Sequence, residues 1–219
     1  MRHFDKDQFR CIQLAAGDSL SPEQRSDVAK LIYDTDSYIY PTLFGEGPEG
    51  RMRAVRILSE LLASGADVMF AKKNLFVLGI GDEIAGIILW YKGSMQWDPA
   101  PLLDAAAGVG IALKEENVMK VSREYVADRY TSGDSSEDQG LELINVCVKS
   151  SLRGRGAGDY MLERFVEAHP RENMKLVVLA DNIPAVNLYQ KFGFSVTKET
   201  DGFSLSHPKP RCFTMERHC

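Results

Sequence analysis

The 219-residue chain reads as a mixed α/β (α+β) protein whose central sheet is mainly antiparallel and flanked by helices. Three observations predict this class. An apolar run at 141–148 passes through a glycine-rich turn into an amphipathic helix at 155–168, a hairpin pattern surrounds Gly81-Asp82-Glu83, and two short β-patterned runs close the chain. Strand, turn and helix in that order build α/β units, whereas hairpins supply antiparallel neighbours.

The first strand is predicted at 9–15. Ser21-Pro22-Glu23-Gln24 then opens a helix, with serine at the N-cap, proline at the first position and glutamine at the third. Val28, Leu31 and Ile32 supply its apolar face, and a tyrosine- and acid-rich linker fills 33–48. A second helix sets Val55, Leu58 and Leu62 on one face and stops at Gly65. Strands at 75–80 and 84–91 form the hairpin. From 92 to 139 the chain passes through Trp97-Asp98-Pro99-Ala100-Pro101, a helix over 113–127 and a polar loop at 131–138. After the 155–168 helix come a strand at 176–179, a helix from Pro184, and strands at 194–199 and 211–216. No internal repeat appears, and one domain, 1–219, accommodates this length.

Composition excludes several classes of function. The 44% hydrophobic fraction is enough to build a core. No run approaches the roughly 18 apolar residues of a membrane span, and the opening Met-Arg-His-Phe-Asp-Lys-Asp lacks a signal-peptide core, so a cytoplasmic location is expected. Cys11, Cys147, Cys212 and Cys219 have no C-x-x-C spacing, which argues against a metal site or a disulfide framework. Cys147, in an apolar strand, reads as a small buried hydrophobe. A net charge of −5 argues against nucleic acid as partner and mildly favours a cationic substrate.

The chemistry-bearing motif is Arg153-Gly154-Arg155-Gly156-Ala157-Gly158. Its glycines let the backbone approach a ligand without a Cβ, and the first amides of the following helix have no intrahelical partner, so they suit phosphate oxygens. The bland alternative is a solvated arginine-glycine loop. The spacing is neither the G-x-G-x-x-G of dinucleotide folds nor a P-loop, which needs Lys-Ser or Lys-Thr.

Read as R-x-x-G-x-G (Arg153, Gly156, Gly158), the turn resembles that of the GNAT superfamily of acyl-CoA-dependent N-acyltransferases. A second match follows in Leu176-Val177-Val178-Leu179-Ala180-Asp181-Asn182 and Pro184-Ala185-Val186-Asn187-Leu188-Tyr189-Gln190-Lys191-Phe192-Gly193-Phe194, which looks like the family's next strand, asparagine and A-x-x-L-Y helix. The resemblance covers 141–194 best. It implies acetyl-CoA as co-substrate, with its pyrophosphate on Arg153 to Gly158, its pantetheine arm paired with the backbone of Val146, Cys147 and Val148, and Asn182 and Tyr189 also at the cofactor. It also makes the 92–139 segment a helical insertion before the central strand, serving as a substrate lid, a dimer contact or a decoration.

A thioester is already activated toward an amine, so positioning both reactants suffices and no metal is required. The amine must lose a proton. With a pKa near 10.4, about one primary amine in a thousand is neutral near pH 7, a penalty of roughly 4 kcal/mol. Glu142, at the start of the central strand, holds the position of the glutamate base in the histone-modifying branch of the family, acting directly or through a water; otherwise it is a strand-end glutamate facing solvent. Glu124 and the acids of 134–138 are weaker alternatives. Tyr189 is the implied general acid toward the departing thiolate, or a core residue of its helix. Asn182 holds pantetheine, caps a helix, or does both. The Val146 amide is placed to polarise the thioester carbonyl. Asp34, Asp36 and Tyr38, in the acidic linker, are read as contacts for a cationic acceptor or as a packed loop. Together these imply an N-acetyltransferase acting on a small-molecule or peptide amine as a monomer or homodimer. The alternative is a catalytically silent coenzyme A-binding module.

Overall fold

The computed structural model describes residues 5–65, 70–92, 98–130, 140–204 and 208–219, the side chains of 124–130 excepted. Seven strands form one sheet: β1 (Phe9–Gln13), β2 (Leu75–Ile80), β3 (Glu83–Lys92), β4 (Leu141–Val148), β5 (Met174–Leu179), β6 (Ser195–Asp201) and β7 (Arg211–Arg217). Their spatial order is β1-β2-β3-β4-β5-β7-β6, and every neighbouring pair is antiparallel except β4 with β5. The described helices are α1 (Pro22–Tyr33), α2 (Ile39–Phe44), α3 (Gly47–Ser64), α4 (Ala100–Gly108), α5 (Glu115–Tyr130), α6 (Ala157–Ala168) and α7 (Ile183–Lys191).

Each face of the sheet carries its own apolar layer. On one face Val28, Leu31 and Ile32 of α1 and Ile57, Leu58, Leu61 and Leu62 of α3 pack over Val77, Ile87 and Leu89. On the other, Met161, Leu162 and Phe165 of α6 and Val186 and Tyr189 of α7 cover Ile88, Leu143, Leu176 and Val178. Each of these side chains contributes about 1.5–3 kcal/mol relative to exposure. The α1 capping box forms as its sequence predicts, with Ser21 Oγ accepting the Gln24 amide and Gln24 Oε1 accepting the Ser21 amide. Gly65 ends α3 at φ 69°.

The linker expected at 33–48 is not wholly irregular, because Ile39–Phe44 coil into α2 and bury Tyr40, Leu43 and Phe44. Its Pro41 masks the helical pattern, yet proline is tolerated in a first turn. The 92–139 segment contains α4 as well as the expected helix. Leu102, Ala105 and Ala106 of α4 and Val118 and Val121 of α5 join the α1–α3 layer, which makes this segment part of the core. Trp97 and the polar stretch 131–138 lie outside the described residues. The helix expected from Arg155 begins at Ala157, because Gly154 (φ 67°) and Gly156 (φ 94°) take left-handed conformations first.

Three features of the sheet position the site. β4 pairs with β5 only over Leu141–Leu143 against Met174–Leu176, so the edge of β4 beyond Leu143 has no strand beside it on that side. In β4, Leu89 of β3 stands opposite Asn145 and Trp90 opposite Leu143, which leaves Ile144 as an extra residue. In β6, Val196 faces Met215 and Lys198 faces Thr214, which makes Thr197 a second bulge. A bulge shifts the alternation of side chains by one and re-aims those beyond it.

Candidate active site

The glycine turn ends β4 and opens α6. The α6 N-cap, Gly156, has no side-chain cap, and the first bond of the helix runs from the Tyr160 amide to the Gly156 carbonyl. The amides of Ala157, Gly158 and Asp159 therefore precede the ladder, at the positive end of the helix dipole. A Cβ built on Gly154 or Gly156 would meet no protein atom within 4 Å, so these glycines serve the backbone turn and leave room before it. Gly158 differs, since a Cβ there would lie 3.4 Å from Leu188, and its smallness lets α6 and α7 pack. Arg153 folds back to β4, donating from Nε to the Val148 carbonyl at 3.3 Å and from Nη2 to Cys147 Sγ at 3.5 Å. Arg155 is exposed.

A cavity runs through the parting of β4 and β5. Asn182, Ala185 and Tyr189 line it from α7, and Lys175, Val177, Thr214 and Lys198 line it from β5, β7 and β6. Alternate residues of β5 separate the two faces: Leu176 and Val178 pack under α6 and α7, while Lys175 and Val177 turn the other way. One cavity thus touches both faces of the sheet through the gap between strands. Val146 lines that gap. α2 and the preceding residues Thr35, Asp36 and Tyr38 form one wall, with Val121 of α5 and Phe203 beside them.

Tyr189 is buried, and its hydroxyl makes no hydrogen bond to a described residue. Desolvation by burial, and secondarily the proximity of Cys147, raise its pKa well above the ordinary phenol range. Burial also raises the Cys147 thiol, partly offset by Arg153, and the side chain is buried as its strand pattern predicts. Asn182 caps α7 by accepting the Ala185 amide at 3.4 Å and lines the cavity as well.

The residues expected to contact an acceptor separate. Asp36 and Tyr38 line the cavity, and Asp36 Oδ1 also accepts the Tyr38 and Ile39 amides at 2.7 and 2.5 Å, which fixes the start of α2. Asp34 does not line it, because both its carboxylate oxygens pair with Arg51 at 2.9 and 2.8 Å. Glu142 also stands outside the lining. Its Oε2 accepts the Tyr91 hydroxyl at 2.6 Å, and its neighbour in register on β5 is Lys175, which does line the cavity. The side chain of Glu124 and the acids at 134–138 lie outside the described residues.

Sequence reasoning missed Asn145. Only 3% exposed, it accepts the Tyr40 hydroxyl at 3.1 Å through Oδ1 and donates from Nδ2 to Thr35 Oγ1, which ties α2 and the end of α1 to the β4 bulge. Its signal was an amide within the apolar run Leu141 to Val148, where a buried polar group requires a partner. Lys175 and Lys198 were missed as well.

Among the described residues, no helix is long and apolar enough to cross a membrane, and no group of three or more His, Cys, Asp or Glu side chains is arranged to hold a metal ion. The family model described as Acetyltransferase (GNAT) family matches residues 70–194. The mycothiol acetyltransferase of Corynebacterium glutamicum (strain R) is 40% identical over 60 residues, 26% of this chain, and the match spans 20% of that relative's length. An N-acetyltransferase from Staphylococcus aureus Mu50 superposes with a TM-score of 0.59 at 17% identity, over 94% of this chain and 99% of the other. Arabidopsis thaliana Naa50, in complex with the bisubstrate analogue CoA-Ac-MVNAL, gives a TM-score of 0.51 at 12% identity, over 97% and 99%. These structures share the fold.

Proposed function

Because the chain belongs to the GNAT acetyltransferase family, we propose that it transfers acetyl from acetyl-CoA to a primary amine by direct attack within a ternary complex. The observation that carries this reading is the single cavity that passes from Tyr189 on one face of the sheet, through the parting of β4 and β5, to Asp36 and Tyr38 on the other. Donor and acceptor meet there without either crossing the core.

The residues fit the donor. The amides of Ala157, Gly158 and Asp159 and the open turn at Gly154 and Gly156 would hold the pyrophosphate, as helix N-termini hold anions. The free edge of β4 at Val146 to Val148 would pair with the pantetheine amides as an added strand. Acetyl-CoA supplies an activated thioester, and the protein's contribution is to hold it and to move protons. The Val146 amide would donate to the carbonyl oxygen as charge develops there.

Tyr189 would donate its phenolic proton toward the sulfur. Its raised pKa keeps the phenol protonated throughout the neutral range. Desolvation raises the basicity of a departing thiolate as it raises that of the phenolate, so burial acts in the same direction on both partners. Glu142, beside the cavity and anchored by Tyr91, would take the amine proton through one intervening water. Asn145 would act as a positioning residue by holding Thr35 and Tyr40 against β4. The test is thiol release from acetyl-CoA with a panel of amines. Release that depends on the amine supports transfer; acetyl-CoA binding without release with any amine supports a silent binding module instead.

A further inference from the structure

The acceptor side of the cavity carries two lysines. Lys175 of β5 and Lys198 of β6 both line it, and neither makes an ion pair or hydrogen bond with a described residue. Lys175 is half-buried and Lys198 is exposed. Among the described residues no carboxylate oxygen lies within ion-pair distance of either ammonium, so an incoming anion can take that place. The register neighbours of Lys175 are two carboxylates, Glu142 on β4 and Glu216 on β7.

Lys198 reaches the cavity because of the β6 bulge. Val196 stands opposite Met215, on the α6 side of the sheet, and without the extra Thr197 the alternation would turn Lys198 to that side too. The bulge places it opposite Thr214, whose face is that of Lys175. Two strand spacings and a two-residue offset put the two backbones about 12 Å apart, a separation that flexible four-carbon stems can close. The same cavity presents carboxylates in Asp36, Asp201 and Glu216. Both signs of charge face one space.

On the acetyltransferase reading above, we infer that the acceptor is an amine that carries its own acidic group, a carboxylate or phosphate ester, held by Lys175 and Lys198 while the amine lies toward the thioester. The test compares matched acceptors: an α-amino acid against its decarboxylated amine, and an aminoalkyl phosphate against the corresponding amino alcohol. Turnover is followed by thiol release, and binding by calorimetry in the presence of coenzyme A. Acid-bearing members are expected to bind about tenfold tighter or better, one charge-assisted contact or more, and the pair preferred identifies the anion. A K175M/K198M double variant should lose the preference while still binding acetyl-CoA, and K175R/K198R should retain it. Equal affinity within both pairs, or a preference that persists in K175M/K198M, would overturn the assignment. No thiol release with any acceptor, alongside a preserved binding preference, would refute the transferase reading and leave the lysine site standing.

Discussion

Replacing Gly156 by alanine separates a backbone requirement from a ligand requirement. Gly156 has φ 94° and a Cβ there would touch no protein atom within 4 Å. The only protein-internal penalty is therefore left-handed backbone, about 1–2 kcal/mol for a residue with a Cβ. That lowers Tm by about 2–8 °C for a chain of this size. Gly81, in the turn between β2 and β3, is a matched control, with φ 56° and equally open surroundings. Both variants should lose similar stability in urea or thermal unfolding. They should part in acetyl-CoA titration. If the space before Gly156 is where the pyrophosphate sits, the new methyl displaces at least one amide-to-phosphate bond, about 1.5–3 kcal/mol, or a roughly 10- to 150-fold weaker Kd. Gly81→Ala should bind as the parent does. Parental acetyl-CoA affinity in a folded Gly156→Ala variant would refute the cradle assignment.

Four further outcomes are expected. Tyr189→Phe should lower kcat about 10²-fold or more, the usual contribution of a general acid, with acetyl-CoA affinity nearly unchanged; equal turnover removes that role. Glu142→Gln should lower kcat about 10²-fold or more, the usual contribution of a general base, and parental turnover assigns the base elsewhere. Gly50→Ala should destabilise by about 3 kcal/mol or more, because its Cβ would fall 1.7 Å from the Gly45 carbonyl oxygen, a backbone atom that cannot swing away; parental urea unfolding would contradict the α2–α3 packing. Finally, burial pushes the Cys11 thiol from 9.0 up to about 11, partly offset by Arg164. A folded-state pKa above the unfolded one gives stability that is complete below pH 9 and lost as pH rises to 11. Urea midpoints measured across that interval should fall, and fall less in Cys11→Ala.

Much of this site was legible in residue order because it is built from local features. A glycine turn between strand and helix, an N-cap asparagine and a tyrosine two turns along a helix are short-range patterns, and the structure puts Tyr189, Asn182 and Val146 around one space. What escaped depends on pairing between distant strands. The bulges at Ile144 and Thr197 shift side-chain phase by one residue, so Asn145 and Lys198 reach the cavity in a way that simple alternation along either strand does not predict. Asp34 failed as a cavity residue for a similar reason, since its partner Arg51 lies 17 positions away on α3. Helix α2 was hidden by Pro41 and by its brevity, and α4 by its short length and by Pro99 and Pro101 at its start.

The brief contact between β4 and β5 has a mechanical consequence. The sheet divides into two panels, β1-β2-β3-β4 and β5-β7-β6, joined by three residue pairs at one end. A pantetheine arm laid along β4 would act as the missing rung and turn the two panels into one beam. Donor binding and sheet rigidity then become a single quantity, which amide hydrogen exchange along Ile144 to Val148 would register as protection that grows with acetyl-CoA occupancy.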